Sequence, residues 1–161
     1  SKRNADLREA LAGLAPVLSD AGIVGLVEPL GFESWSLRLK SEAAAAIAGQ
    51  ENPDRFKLVH DTFHHHVSEE GMFYPSLTGL VHVSGVSDPE VGRSALRDRH
   101  RILVDSRDRI ENTHQICQLM VGGYEGLLSL EPFSDLVHTM ADLGRALMES
   151  IGHLSSACHS R

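Results

Sequence analysis

Two periods of apolar and polar residues run through the chain. Leu7, Leu11, Leu14, Val17 and Leu18 recur at helical steps and predict an amphipathic helix over 6–21. Asn4 or Asp6 can cap it, Asp6 and Glu9 have capping-box spacing, and Gly22 follows as a C-cap. Short, nearly continuous apolar runs at 23–27, 56–59, 80–83 and 127–130 predict strands buried on both faces. Between them, Ser41 can cap an alanine-rich helix over 42–48, and 67–77 reads as an irregular helical piece broken by Gly71 and Pro75. Residues 110–120 return to helical period, and Ser134 can cap a last helix over 135–154. Strand and helix therefore alternate four times after a first helix, which predicts an α/β fold with a parallel sheet.

The ends of the strands carry the chemistry. The first and last runs stop at Glu28-Pro29 and Glu131-Pro132, where proline cannot donate to a ladder. The second stops at His60-Asp61, and the third contains His82. Parallel strands present their C-terminal ends on one side, so Glu28, Asp61, His82 and Glu131 can converge there. Three carboxylates repel one another without a cation, and three oxygen donors with one imidazole suit Mn²⁺ or Mg²⁺ and admit Co²⁺, Fe²⁺ or Zn²⁺. His60 alternates with Asp61 along its strand, so it should point to the helices and be packed. His65 and His66 read as loop histidines.

Composition narrows the partners. The chain has 161 residues, long enough for a single domain over 1–161, and a net charge of −7, which disfavours nucleic acid and anionic membranes. No apolar run approaches the ~18 residues of a membrane span, no signal-peptide pattern opens the chain, and Cys117 and Cys158 lack metal or redox spacing. A cytoplasmic location with free thiols is expected. Residues 84–109 form an irregular stretch with six arginines, at 93, 97, 99, 101, 107 and 109, and a loop that long suggests function.

Asp61-Thr-Phe-His64, with Glu-Pro at the flanking strand ends and a His-Val strand between, resembles the xylose isomerase-like TIM-barrel superfamily. The motifs are like those of ketose 3-epimerases, hydroxypyruvate isomerases and inosose isomerases, and the likeness covers about 23–134. It implies one divalent metal, Mn²⁺ favoured, on Glu28, Asp61, His82 and Glu131. It also implies that Glu28 and Glu131 are the acid/base pair and that His64 contacts substrate oxygens. The implied reaction is isomerisation or epimerisation of a sugar or keto-sugar by proton transfer through a metal-stabilised enediolate.

Two features depart from the pattern. The arginine expected soon after the strand histidine is missing, and Arg93, Arg97 or Arg101 can replace it, with His100 from the same loop also a candidate for substrate contact. Asp98-Arg-His100 resembles a metal motif of endonuclease IV-type phosphodiesterases, which leaves that reading as an alternative. A complete barrel needs about 200 residues or more, and the resemblance implies that this chain, with its four strand–helix units, is the C-terminal half. Its open edges call for a second copy or an N-terminal half-barrel, and a non-catalytic assembly fragment is the other alternative.

Overall fold

The computed structural model describes residues 2–158, and the side chains at 157 and 158, and with them the Cys158 thiol, lie outside the described residues. Four parallel strands form one sheet in the order β1 (Gly25–Val27), β2 (Phe56–Asp61), β3 (Thr78–Val83), β4 (Leu128–Leu130). Around it lie α1 (Lys2–Ala21), α2 (Lys40–Ala48), α3 (Thr62–Ser68), α4 (Asn112–Val121), α5 (Asp135–His138) and α6 (Leu143–Cys158). Sequential parallel strands joined by helical crossovers make this an α/β half of a TIM barrel. No helix among the described residues is long and apolar enough to cross a membrane.

Alternation along the strands separates two faces. Phe56 and Leu58 pack against Leu11 of α1 and Ala43, Ala46 and Ile47 of α2. Val81 and Val83 pack against Ile116 and Leu119 of α4 and Leu154 of α6. Lys57, Val59 and Asp61 therefore face the other way, toward the barrel interior. The β2–β3 register slips by one residue between the Leu58–Thr78 and Val59–Leu80 pairs, where Gly79 is the extra residue. That bulge sets the phase of β3, so Val81 and Val83 turn to the helices and His82 turns inward.

Several elements differ from the sequence expectation. The first helix starts at Lys2, so Asn4 and Asp6 lie within it rather than capping it. It docks through Leu7, Leu11, Ala15 and Leu18 and leaves Leu14 and Val17 exposed. The strand expected from residue 23 begins at Gly25, because β1 pairs with β2 only over three residues and Ile23 and Val24 remain exposed. Ser41 does not cap α2. Its first free N–H groups, on Lys40 and Ser41, instead donate to the Glu70 carboxylate at 2.6 and 3.0 Å. The helical piece expected at 67–77 lies earlier, because Asp61 caps α3 as soon as β2 ends, and only a single tight turn forms at Pro75–Leu77. The final helix divides in two, because the Asp142 carboxylate accepts from Arg145 N and starts α6 afresh. Ser134 does cap α5, accepting from Leu136 N.

Candidate metal centre

Glu28, Asp61, His82 and Glu131 come together at the C-terminal ends of the four strands. One donor atom from each lies within 4.8 Å of the others. Strand parity explains the convergence: Asp61 and His82 are paired across β2 and β3, and Glu28 and Glu131 follow the helix-facing Val27 and Leu130 by one residue. Pro29 and Pro132 stop the ladders just beyond the two glutamates. Asp61 has two tasks, since its Oδ1 accepts from His64 N at 2.8 Å and so caps α3.

The electrostatics divide the carboxylates. His82 Nδ1 is 2.9 Å from Glu28 Oε1 and 3.2 Å from Glu131 Oε2. Its hydrogen bond to Glu28 outweighs burial and raises its pKa. Burial alone would raise Glu28, but the bond and charge of His82, with His64 and Arg101, hold its carboxyl below the usual range. Burial dominates at Asp61 and Glu131 and raises both, although Arg101 and His82 pull them down. A cation coordinated at about 2.1–2.2 Å spans roughly 4.4 Å between opposite donors, so these residues fit a small divalent ion after a few tenths of an ångström of settling.

His64 lies beside this cluster, packed edge-on against Phe32 and Phe63, with its Nε2 3.5 Å from Arg101 Nη1. Burial, with the Arg101 charge adding to it, pushes its pKa down to about 4, so it is a neutral imidazole at pH 7. Gly31 makes this packing possible: it has φ of +69°, and a Cβ there would sit 2.4 Å from His64 O. Arg93 pairs with Glu69 and donates to His66 Nε2, and Arg97 lies over the Phe32 ring, bonded to the carbonyls of Ser94 and Leu96. Both line a hollow of about 750 Å³ shared with Trp35, Arg38 and Asp98.

His100 stands apart from the cluster. Its Nδ1 accepts from Arg97 N, and its side chain lines a different hollow with Asp88 and Asp105. Asp98 meets Arg101 at 3.4 Å, so the Asp98-x-His100 pair joins no metal-ligand group among the described residues. His60 is fully buried on the helix side, as alternation predicts, and His65 and His66 belong to α3 rather than to a loop. Arg101, one of three interchangeable loop arginines in the sequence, is the one drawn inside, at 2.5 Å from Asp61 Oδ2 and 2.7 Å from Glu131 Oε2. Its preceding Leu96 and following Leu103–Val104, all buried, mark the part of the loop that turns inward.

Comparison with known proteins bears on the fold and the family. A xylose isomerase domain-containing protein from Salmonella typhimurium LT2 is 34% identical, superposes with a TM-score of 0.82, and is matched over 95% of this chain and 57% of its own. The IolI protein, solved with a bound zinc atom, has the same fold at 16% identity and a TM-score of 0.80, over 96% of this chain and 56% of its own. D-psicose 3-epimerase, solved in the presence of D-fructose, is 25% identical with a TM-score of 0.55, over 94% of this chain and 51% of its own. The chain thus spans a little over half the length of these structures, and no curated protein sequence matches it. The profile of one family covers residues 2–157, nearly the whole sequence, and the chain belongs to that family, the xylose isomerase-like TIM barrels.

Proposed function

We propose that this chain carries the metal and acid/base groups of a divalent-cation-dependent isomerase or epimerase acting on a small sugar or keto-sugar. The observation that carries this reading is the convergence of three carboxylates and one imidazole at the C-terminal ends of the strands, the face on which barrel enzymes hold their sites. Three oxygen donors to one nitrogen favour Mn²⁺, while zinc is the metal in the IolI structure. When bound, the cation supplies Lewis-acid polarisation of a carbonyl and its neighbouring hydroxyl, which lowers the cost of enediolate formation.

The side chains divide the remaining work. Glu28 and Glu131 come from the two outer strands, on either side of the Asp61–His82 pair, so a substrate carbon above the cluster would have a carboxylate on each flank. One carboxylate removes the carbon-bound proton and the same or the opposite one returns it. In this proposal neutral His64 and the guanidinium of Arg97 would bind substrate oxygens, while Arg93 pairs with Glu69 and His100 lines another hollow. Closure of the site by a second copy or an N-terminal half-barrel belongs to the same proposal.

The test is exchange of a substrate carbon-bound proton with solvent deuterium, followed by proton NMR over a panel of ketoses and hydroxy-aldehydes with Mn²⁺ present. Exchange with at least one of them is expected, and Glu28→Gln or Glu131→Gln should slow it by about a hundredfold to ten-thousandfold. Tight metal binding without exchange on any substrate would favour the non-catalytic assembly reading, which the open edges of the sheet at β1 and β4 also suggest.

A further inference from the structure

Arg101 is the largest of the fully buried side chains, while Arg93, Arg97, Arg99, Arg107 and Arg109 of the same stretch are exposed. Its guanidinium occupies the cluster itself. Nη2 donates to Asp61 Oδ2 at 2.5 Å and to Glu131 Oε2 at 2.7 Å, and Nε donates to Ser84 Oγ at 3.0 Å. The rings of Phe133 and Phe63 flank it at 4.6 and 5.2 Å. Its own carbonyl accepts from Phe133 N and Ser134 N, so backbone and side chain both bind the segment that follows β4 and carries Glu131. Asp61 is buried, and its carboxylate oxygens meet Arg101 on one side and His64 N on the other.

Two of the four donor residues are therefore already engaged by a cation that belongs to the protein. Glu28, Asp61 and Glu131 offer three carboxylates to the site, and the Arg101 guanidinium is set against two of them. We infer that Arg101 is a built-in competitor of the metal: it holds Asp61 and Glu131 together before the cation arrives and weakens the cation's hold afterwards, which keeps the metal exchangeable. The inference rests on the metal-site reading above. A guanidinium is suited to the part, because the two N–H groups of Nη2 reach both carboxylates while Nε stays on Ser84 Oγ and fixes the plane.

The experiment is calorimetric titration of the metal-free protein with Mn²⁺, beside thermal melts with and without the metal. Arg101→Met should bind Mn²⁺ more tightly than the wild type by roughly tenfold or more, the scale set by deleting a positive charge a few ångströms from the ion. Without metal the same variant should melt lower, because Asp61 loses its buried counter-charge, and Mn²⁺ should raise its melting temperature by more than it raises the wild type's. Arg101→Lys, which keeps the charge, should stay near the wild-type affinity. A purely structural arginine would lower the melting temperature without tightening the metal, and equal or weaker Mn²⁺ binding in Arg101→Met would overturn the inference. Should Arg101→Met not fold, Arg101→Gln, which is neutral but can still donate to Asp61, decides by the same criterion. His82→Ala serves as the control for the site: if the wild type takes up no divalent ion, or His82→Ala binds it as well as the wild type, the metal reading itself fails, not the role of Arg101 alone.

Discussion

Lys40 brings an ammonium into the interior, and among the described residues its Nζ meets the His60 imidazole at 2.9 Å rather than a carboxylate. His60 Nε2 faces Gln115 Oε1 at 2.9 Å, and Gln115 Nε2 is committed to the carbonyls of Thr62 and Ile110. The partners assign the tautomer: His60 donates from Nε2 and accepts from Lys40 at Nδ1. Burial lowers the Lys40 pKa to about 7, with Glu70 opposing. Between that value and the unfolded value near 10.5, the unfolded chain holds a proton that the folded chain has released, so stability rises with pH across this window. Relative to Lys40→Met, the wild type should gain about 2 kcal/mol between pH 7 and pH 9 in urea denaturation, and a flat difference would rule out a buried, depressed amine. At this scale some of the molecule was legible and some was not. The parity of His60 and Asp61 follows from a two-residue period, and Glu-Pro marks a strand end. The partners of Lys40 and Arg101 do not follow, because each is chosen by contacts with residues far along the chain, and a surface lysine or loop arginine looks the same in sequence.

Elements were more legible in kind than in boundary. The four strands are legible because each is an apolar run, yet β2 reaches Asp61 and α3 starts at the next residue, a helix that Thr62–His66, with Phe63 as its one apolar residue, does not advertise by hydrophobic period. Its cap is the cue: Asp61 Oδ1 bonds His64 N, three residues on. The N-terminus of α2 is served by Glu70 from thirty residues away, a partner that no local cap rule contains. Asp61 links element and site, and two substitutions separate its tasks. Asp61→Asn keeps an oxygen for the cap but loses the charge, whereas Asp61→Ala loses both. In thermal melts of the metal-free protein, Asp61→Ala should be less stable than Asp61→Asn by about 1 kcal/mol, the usual value of a cap, while both lose divalent-ion affinity. Equal melting of the two would mean that the cap contributes little to α3.

The sheet as a whole is open on both sides, with β1 and β4 each paired to one neighbour. Leu26 and Ile23 are exposed at one edge and Leu127 and Leu128 at the other, and Leu136, Met148 and Ile151 are exposed on the last two helices. Unpaired edges flanked by apolar side chains invite further strands. All three pairings are parallel, which restricts how the gap can be filled. A second copy turned by a twofold axis along the barrel axis would set its β1 beside β4, its β4 beside β1, and every strand in the same direction, closing a ring of eight. Closure would cover the exposed Leu26 and the half-buried Lys57 and Leu80 on the inner face and would bring two candidate metal centres to the same end of the barrel. Light scattering on the purified 161-residue chain at micromolar concentration should therefore give a mass near two chains. Leu26→Lys and Leu127→Lys place a charge at opposite edges, and each should shift the population toward the monomer, since an ammonium would have to be desolvated on closing. A wild-type chain that is monomeric with a cooperative melt would show that the half-barrel stands without a partner, and the metal titration would then report on an open site.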